Sequence, residues 1–140
     1  MGAVGSVSGA GSEPMLHDLV GTGFFVALVD AFYDGVEGDP VLLPLYPDGA
    51  DTVGARRRLA LFLDQYFGGP HTYMDERGHP RLRMRHGEWT IGPRERDRWL
   101  AHMAVAIETV VADLGDDIRD RVTEELANYM VNAAEHLRNA

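Results

Sequence analysis

Residues 78–86 read Gly78-His79-Pro80-Arg81-Leu82-Arg83-Met84-Arg85-His86, and Trp99 follows the last histidine by thirteen residues. Proline has no backbone donor to lose and a preset φ, so Pro80 suits the first turn of a short helix that ends near His86. On that helix Arg81 and Arg85 stand four residues apart and can reach one anionic group together. Plainer readings exist for both features. A lone histidine is more often a surface or core residue than a ligand, and clustered arginines more often form a solvated face. Nucleic acid is a poor partner for this run, because few aromatics are interleaved and the whole chain is acidic.

The charge pattern sets the run apart from its flanks. The 140 residues carry a net charge of −9 and contain thirteen arginines and no lysine. Residues 1–55 hold eight acids and no arginine, residues 56–98 hold ten arginines against six acids, and residues 99–140 hold eight acids against three arginines. A cationic middle made of guanidinium groups suits a small anionic partner such as a carboxylate or phosphate. There is no cysteine. That excludes thiolate-bound metal centres and thioether-attached cofactors, and leaves histidine as the candidate ligand for a soft metal.

Outside this stretch the hydrophobic period is helical almost throughout. Thr22 is placed to cap a helix whose apolar face carries Phe24, Phe25, Leu28, Val29, Phe32 and Val36. Gly35 and Gly38 weaken its end, and Asp39-Pro40 opens a short apolar segment through Leu42, Leu43 and Leu45, broken by Pro44 and Pro47. Thr52 starts an amphipathic helix with Leu59, Phe62, Leu63, Tyr66 and Phe67 on one face, stopped by Gly68-Gly69-Pro70. Residues 70–79 read as an irregular loop of the kind that carries function in a compact domain. A helix begins at Thr90-Ile91-Gly92-Pro93, buries Trp99, Leu100, Met103, Ala106, Ile107, Val110 and Leu114, and ends at Gly115. The last helix presents Ile118, Val122, Leu126, Tyr129, Met130, Ala133 and Leu137. Nothing alternates with period two, so the fold class is all-α.

Residues 15–140 are read as one domain, and the Gly/Ser/Ala-rich residues 1–14 as a flexible tail. No apolar run is long enough to cross a bilayer, and the first residues lack the pattern of a signal peptide, so no membrane partner is expected and the default location is the cytoplasm. The catalytic constellations that can be tested fail. The glycines of the first residues do not join a strand to a helix, no Gly-x-Ser-x-Gly element occurs, and His71, His79 and His86 lack zinc-pair spacing. Glu124, Glu125, Glu135 and His136 do not form the Glu-x-x-His pairs of di-iron bundles. Taken singly, Tyr33, Tyr46 and Trp99 read as core aromatics with polar tips.

Taken in order, Phe32-Tyr33, Leu45-Tyr46-Pro47, Phe62-Leu63-x-Gln65-Tyr66-Phe67-Gly68-Gly69-Pro70, the run from Gly78 to His86, and Glu95-Arg96-Asp97-x-Trp99 closely resemble the group II truncated haemoglobins. The resemblance spans roughly residues 16–138. It implies a two-over-two helical sandwich enclosing non-covalent haem b, with His86 as proximal iron ligand and Tyr33, Tyr46 and Trp99 as distal residues facing a bound ligand. Ala55 falls where many globins carry a distal histidine or glutamine. Phe32, Leu59, Phe62, Leu63, Leu82 and Met84 fall at haem-plane contacts, and Arg58 and Arg85, with Tyr66, at groups that meet the propionates. His71, His79 and His102 are the rival internal ligands. One position departs from the family: its usual Gly-Gly pair before the first long helix is here Val20-Gly21.

The function this implies is binding of dioxygen, and of CO, NO or peroxide, by a distal Tyr/Tyr/Trp hydrogen-bond network. Such a network suits tight oxygen binding or redox chemistry, as a peroxidase or nitric-oxide dioxygenase, better than delivery. Sustained NO turnover needs a reductase partner, because the chain has no flavin or nicotinamide fingerprint. The oligomeric state stays open, and a homodimer is compatible with it. The alternative from another class is a cofactor-free helical interaction module. It accounts for the helices and scattered aromatics but not for a polar trio and a histidine in family order.

Overall fold

The computed structural model describes residues 14–46, 51–77 and 91–137. They form α1 (Leu16–Val20), α2 (Thr22–Glu37), a 3-10 turn (Leu43–Leu45), α3 (Val53–Tyr66), α4 (Thr72–Arg77), α5 (Pro93–Val111) and α6 (Asp116–Leu137). No strand occurs among the described residues, and no described helix is long and apolar enough to cross a membrane. Residues 1–13 of the expected N-terminal tail, and the expected short helix with Leu82, Met84, Arg85 and His86, lie outside the described residues.

Apolar period builds the core. On α2, Phe25, Leu28, Val29, Phe32 and Val36 recur at spacings of three and four and are buried along one stripe. Met103, Ala106, Ile107 and Val111 do the same on α5, and Val122, Leu126, Met130 and Ala134 on α6. The α2 stripe faces two ways, toward α3 and toward α5, while α5 also packs on α6 and α3 carries α4. The result is the two-over-two layering. Each large side chain withdrawn from water in this way contributes ~1.5–3 kcal/mol. The start of α5 follows its sequence signals: Pro93 occupies the first turn, and the Glu95 carboxylate reaches back to accept the Gly92 N–H at 2.9 Å.

Three sequence expectations are corrected. Thr22 does not cap α2. Gly21 occupies the cap, and the Thr22 hydroxyl donates to Asp64 Oδ2 at 2.8 Å. A buried carboxylate needs donors more than a solvent-exposed helix end does. Asp64 takes a second from His17 Nδ1 at 2.5 Å. Residues 70–79 are not wholly irregular, because Thr72–Arg77 form α4. Tyr73 anchors that helix, 4% exposed with its ring 5.4 Å from that of Phe62, and Gln65 Oε1 accepts the Met74 N–H at 2.9 Å. Two adjacent apolar residues in six leave no periodic trace. Tyr66 is not on the buried face of α3. It is 52% exposed and lies against Tyr129, ring centroids 4.3 Å apart. Thr52 starts α3 as expected, at its cap position, and its hydroxyl donates to Glu37 and accepts from Arg56 Nε.

The missing second glycine before α2 is resolved by geometry. Val20 closes α1 as an ordinary helical residue, and Gly21 alone makes the turn at φ 79°, ψ 168°, a region open essentially to glycine. At the end of α3, Gly68 has φ 102°, and a Cβ there would stand 2.5 Å from Met15 Cβ. The Gly68 turn therefore also seats the entry to α1.

Asp39 is the second buried carboxylate, 3% exposed. Its Oδ1 accepts the Val41 and Leu42 N–H groups at 2.8 and 3.3 Å, Arg98 Nε donates to both oxygens at 3.0 Å, and His102 Nε2 lies 2.7 Å from Oδ2. Burial opposes its charge, but the bonds from His102, Val41, Arg98 and Leu42 outweigh burial and hold the carboxyl down at about 2.

Two outcomes follow for stability. Gly21→Ala should cost about 1–3 kcal/mol, whereas Gly23→Ala, in open space within α2, should be neutral or stabilise by ~0.5–1 kcal/mol. Equal effects of the two in thermal melts would remove the backbone argument. For Asp39 the folded pKa lies below the ordinary 3.8, so its stabilisation is full above about pH 4 and is lost as the pH falls toward 2. In urea unfolding, the advantage of wild type over Asp39→Asn should shrink between pH 5 and pH 2. A constant gap would show that ionisation of this carboxyl does not support the fold.

Candidate functional site

The site begins at adjacent positions of α2. Phe32 is fully buried and Tyr33 is 4% exposed, with ring centroids 5.0 Å apart and the planes near perpendicular. From α5, Trp99 meets Phe32 edge-on at 5.2 Å. From the end of the 3-10 turn, Tyr46 meets Tyr33 at 5.4 Å. Three elements distant in sequence thus deliver Tyr33, Tyr46 and Trp99 to one place around the Phe32 ring. Edge-to-face aromatic pairs of this kind add ~0.5–1.5 kcal/mol each beyond the area they bury.

The polar tips of the trio come together at Tyr46, whose phenol has Tyr33 and Trp99 as its polar neighbours. An indole N–H only donates, whereas a phenol can donate or accept. Burial pushes the Tyr46 phenol up to about 12, with Tyr33 and Trp99 acting in the opposite sense. Burial, reinforced by Tyr46, drives Tyr33 still further above the ordinary phenol range, and the charges of Arg58 and Arg56 oppose it only weakly. Both phenols are thus neutral at physiological pH. The site offers hydrogen bonds without offering a free acid.

Helix α3 lies across from α2. Ala55 and Leu59, four residues apart, are partly buried, while Phe62 and Leu63 are 6% and 1% exposed. Arg58 folds back along the helix, so that a Cβ on Gly54 would stand 2.9 Å from its Nη1. Tyr66 stands apart from the trio, in the aromatic group of Phe67 and Tyr129. Leu82, Met84, Arg85 and His86 lie outside the described residues. Of the rival histidines, His102 is engaged by Asp39 and His71 is exposed, while His79 is outside the described residues. Among the described residues no three His, Asp or Glu side chains gather as a metal site.

Arg56 was not singled out by the sequence reading. Its guanidinium donates to Asp30 at 3.1 Å, Asp34 at 3.0 Å and Glu37 at 2.7 Å on α2, and lies 5.8 Å over the Tyr33 ring. It clamps α3 to α2 beside the site. The acids at 30, 34 and 37 follow helical spacing and were the available signal. Asp39 and His102 gave no such signal, because they lie far apart in sequence.

The bacterial-like globin family model matches residues 15–134. The group 2 truncated haemoglobin YjbI of Bacillus subtilis is 37% identical over 122 residues, covering 85% of this chain and 89% of that protein. The solved haemoglobin of the thermophilic phototrophic bacterium Chloroflexus aurantiacus superposes with a TM-score of 0.81 at 43% identity, over 91% of this chain and 100% of that one. The truncated oxygen-avid haemoglobin of Bacillus subtilis superposes with a TM-score of 0.78 at 34% identity, over 89% of this chain and 99% of that one. With its two-over-two helices matched over nearly their whole length, this chain belongs to the bacterial-like globin family, among the group II truncated haemoglobins.

Proposed function

We propose that this globin binds haem b non-covalently through His86 and retains dioxygen tightly, with Tyr33, Tyr46 and Trp99 as the distal hydrogen-bond donors. The carrying observation is the convergence of these three side chains from α2, the end of the 3-10 turn and α5, with burial holding both phenols neutral. The donor set suits such a group. Neutral O–H and N–H groups stand among aromatic rings, Ala55 and Leu59 present a partly buried apolar face, and Arg58 supplies a cation for an anionic edge. Haem supplies an iron with an open position for a small diatomic ligand when the proximal side is held by a neutral imidazole.

The chain's own contribution is electrostatic. Donors fixed by packing need no reorganisation when a ligand with a partly negative atom arrives, so their bonds act at full strength in a dry pocket. Raised phenol pKa values keep the protons on Tyr33 and Tyr46, which disfavours protonation and loss of the ligand. The description of the Bacillus subtilis relative as oxygen-avid agrees with retention over delivery.

Two measurements test this reading. The purified wild type should show a Soret band that moves on reduction and again under carbon monoxide, and His86→Ala should lose or degrade it. A wild type that takes up no added haemin would leave the cofactor-free helical module as the reading. With haem bound, Tyr46→Phe and Trp99→Phe should each speed oxygen release by about 2- to 10-fold, the worth of one hydrogen bond. Unchanged release rates would remove the distal assignment.

A further inference from the structure

Asp39 makes more contacts than its turn requires. A carboxylate that caps a turn can do so from the surface, with its second oxygen in water. This one is 3% exposed, and it spends its remaining capacity on a different helix. On one side it winds the segment that ends at Tyr46. Oδ1 accepts the Val41 and Leu42 N–H groups, and the Asp39 carbonyl accepts the Leu43 N–H at 3.0 Å. The turn then closes with the Leu45 N–H on Leu42 O and the Tyr46 N–H on Leu43 O, at 2.9 and 3.1 Å. On the other side Arg98 and His102 grip the same carboxylate from α5, one position before Trp99 and three after it. Two grips a helical turn apart fix both the height and the rotation of α5 at Trp99. The His102 imidazole lies directly over Gly35 of α2, where a Cβ would stand 2.4 Å from Nδ1.

We propose that Asp39 is a positioning residue for the ligand-binding trio: its carboxylate sets the Tyr46 segment against the face of α5 that carries Trp99. The inference rests on the proposed function, since it concerns the same trio. Tyr46 sits at the end of a three-residue 3-10 turn, which has little stiffness of its own. Trp99 and Tyr46 come together from two elements whose separation nothing within either one determines. Asp39 supplies that determinant from outside the site, and a displacement of about 1 Å in such an arrangement is enough to lose the benefit of a placed donor.

The test uses the haem-bound protein. Asp39→Asn keeps an acceptor for Val41 and Leu42 but loses the charge that holds Arg98 and His102. It should speed oxygen release by about 2- to 10-fold, and it should shift the Trp99 indole N–H resonance of the carbon monoxide form, assigned by its loss in Trp99→Phe. Placed in a Tyr46→Phe background it should add nothing, because the donor it positions is gone. His102→Gln, which leaves the turn intact, should act in the same direction and serves if Asp39→Asn does not fold. An unshifted indole resonance overturns the inference, and so does a rate increase in the Tyr46→Phe background equal to that in the wild type. If Tyr46→Phe itself leaves the rate unchanged, the proposed function falls, while the indole resonance still decides the role of Asp39.

Discussion

The burial of Phe32 is the constraint on which this molecule turns. Its ring has no exposure, lies edge-on to Trp99 from α5 and adjoins Tyr33 on its own helix. One side chain thus settles how closely α2 and α5 approach and where the polar aromatics end up. Because α2 must face α3 and α5 with one stripe, Tyr33 falls at the edge of that stripe, where its phenyl body is buried and its hydroxyl meets another polar group. The polar group that the chain brings beside that hydroxyl is Tyr46.

Around this apolar centre, charge is used at the ends of helices. Asp64 joins the entry of the fold, through His17 and Thr22, to the end of α3. Asp39 joins the end of α2 to α5. Arg56 gathers three α2 acids beside Tyr33. Ion pairs at an exposed surface are worth little, but a carboxylate with almost no exposure is costly unless all its donors are in place. Asp39 and Asp64 are therefore better understood as fixing one arrangement of helices than as adding to total stability. Both hold elements that border the aromatic centre.

Much of the architecture was legible in the sequence, for physical reasons that can be named. Phe25, Leu28, Val29, Phe32 and Val36 carry a stripe that has only one helical interpretation. Pro93 and Glu95 mark the start of α5, and Gly68 the end of α3. What escaped notice was short or non-local. Helix α4 depends on Tyr73 packing on Phe62 and on Gln65 receiving the Met74 amide, and six residues cannot show a period. Thr22 looked like a cap because its residue type favours caps, yet its hydroxyl is drawn to a carboxylate from another segment. Tyr66 matched the apolar spacing of α3 but lies beyond the edge of the buried face, against Tyr129.

The same division runs through the site. Order and residue type along the chain were enough to single out Tyr33, Tyr46 and Trp99, because a family's functional residues keep their sequence order. Their convergence and the role of Asp39 were not legible there, since each brings the segment from Asp39 to Tyr46 against groups on α5 dozens of residues away. By itself the sequence determined the long helices, most of their buried faces and the stock of neutral donors, because these follow from local periodicity and side-chain chemistry. Only the tertiary structure decided which aromatics meet and which carboxylates are buried. Those depend on distances between segments, and chain order carries no information about distance until the helices have packed.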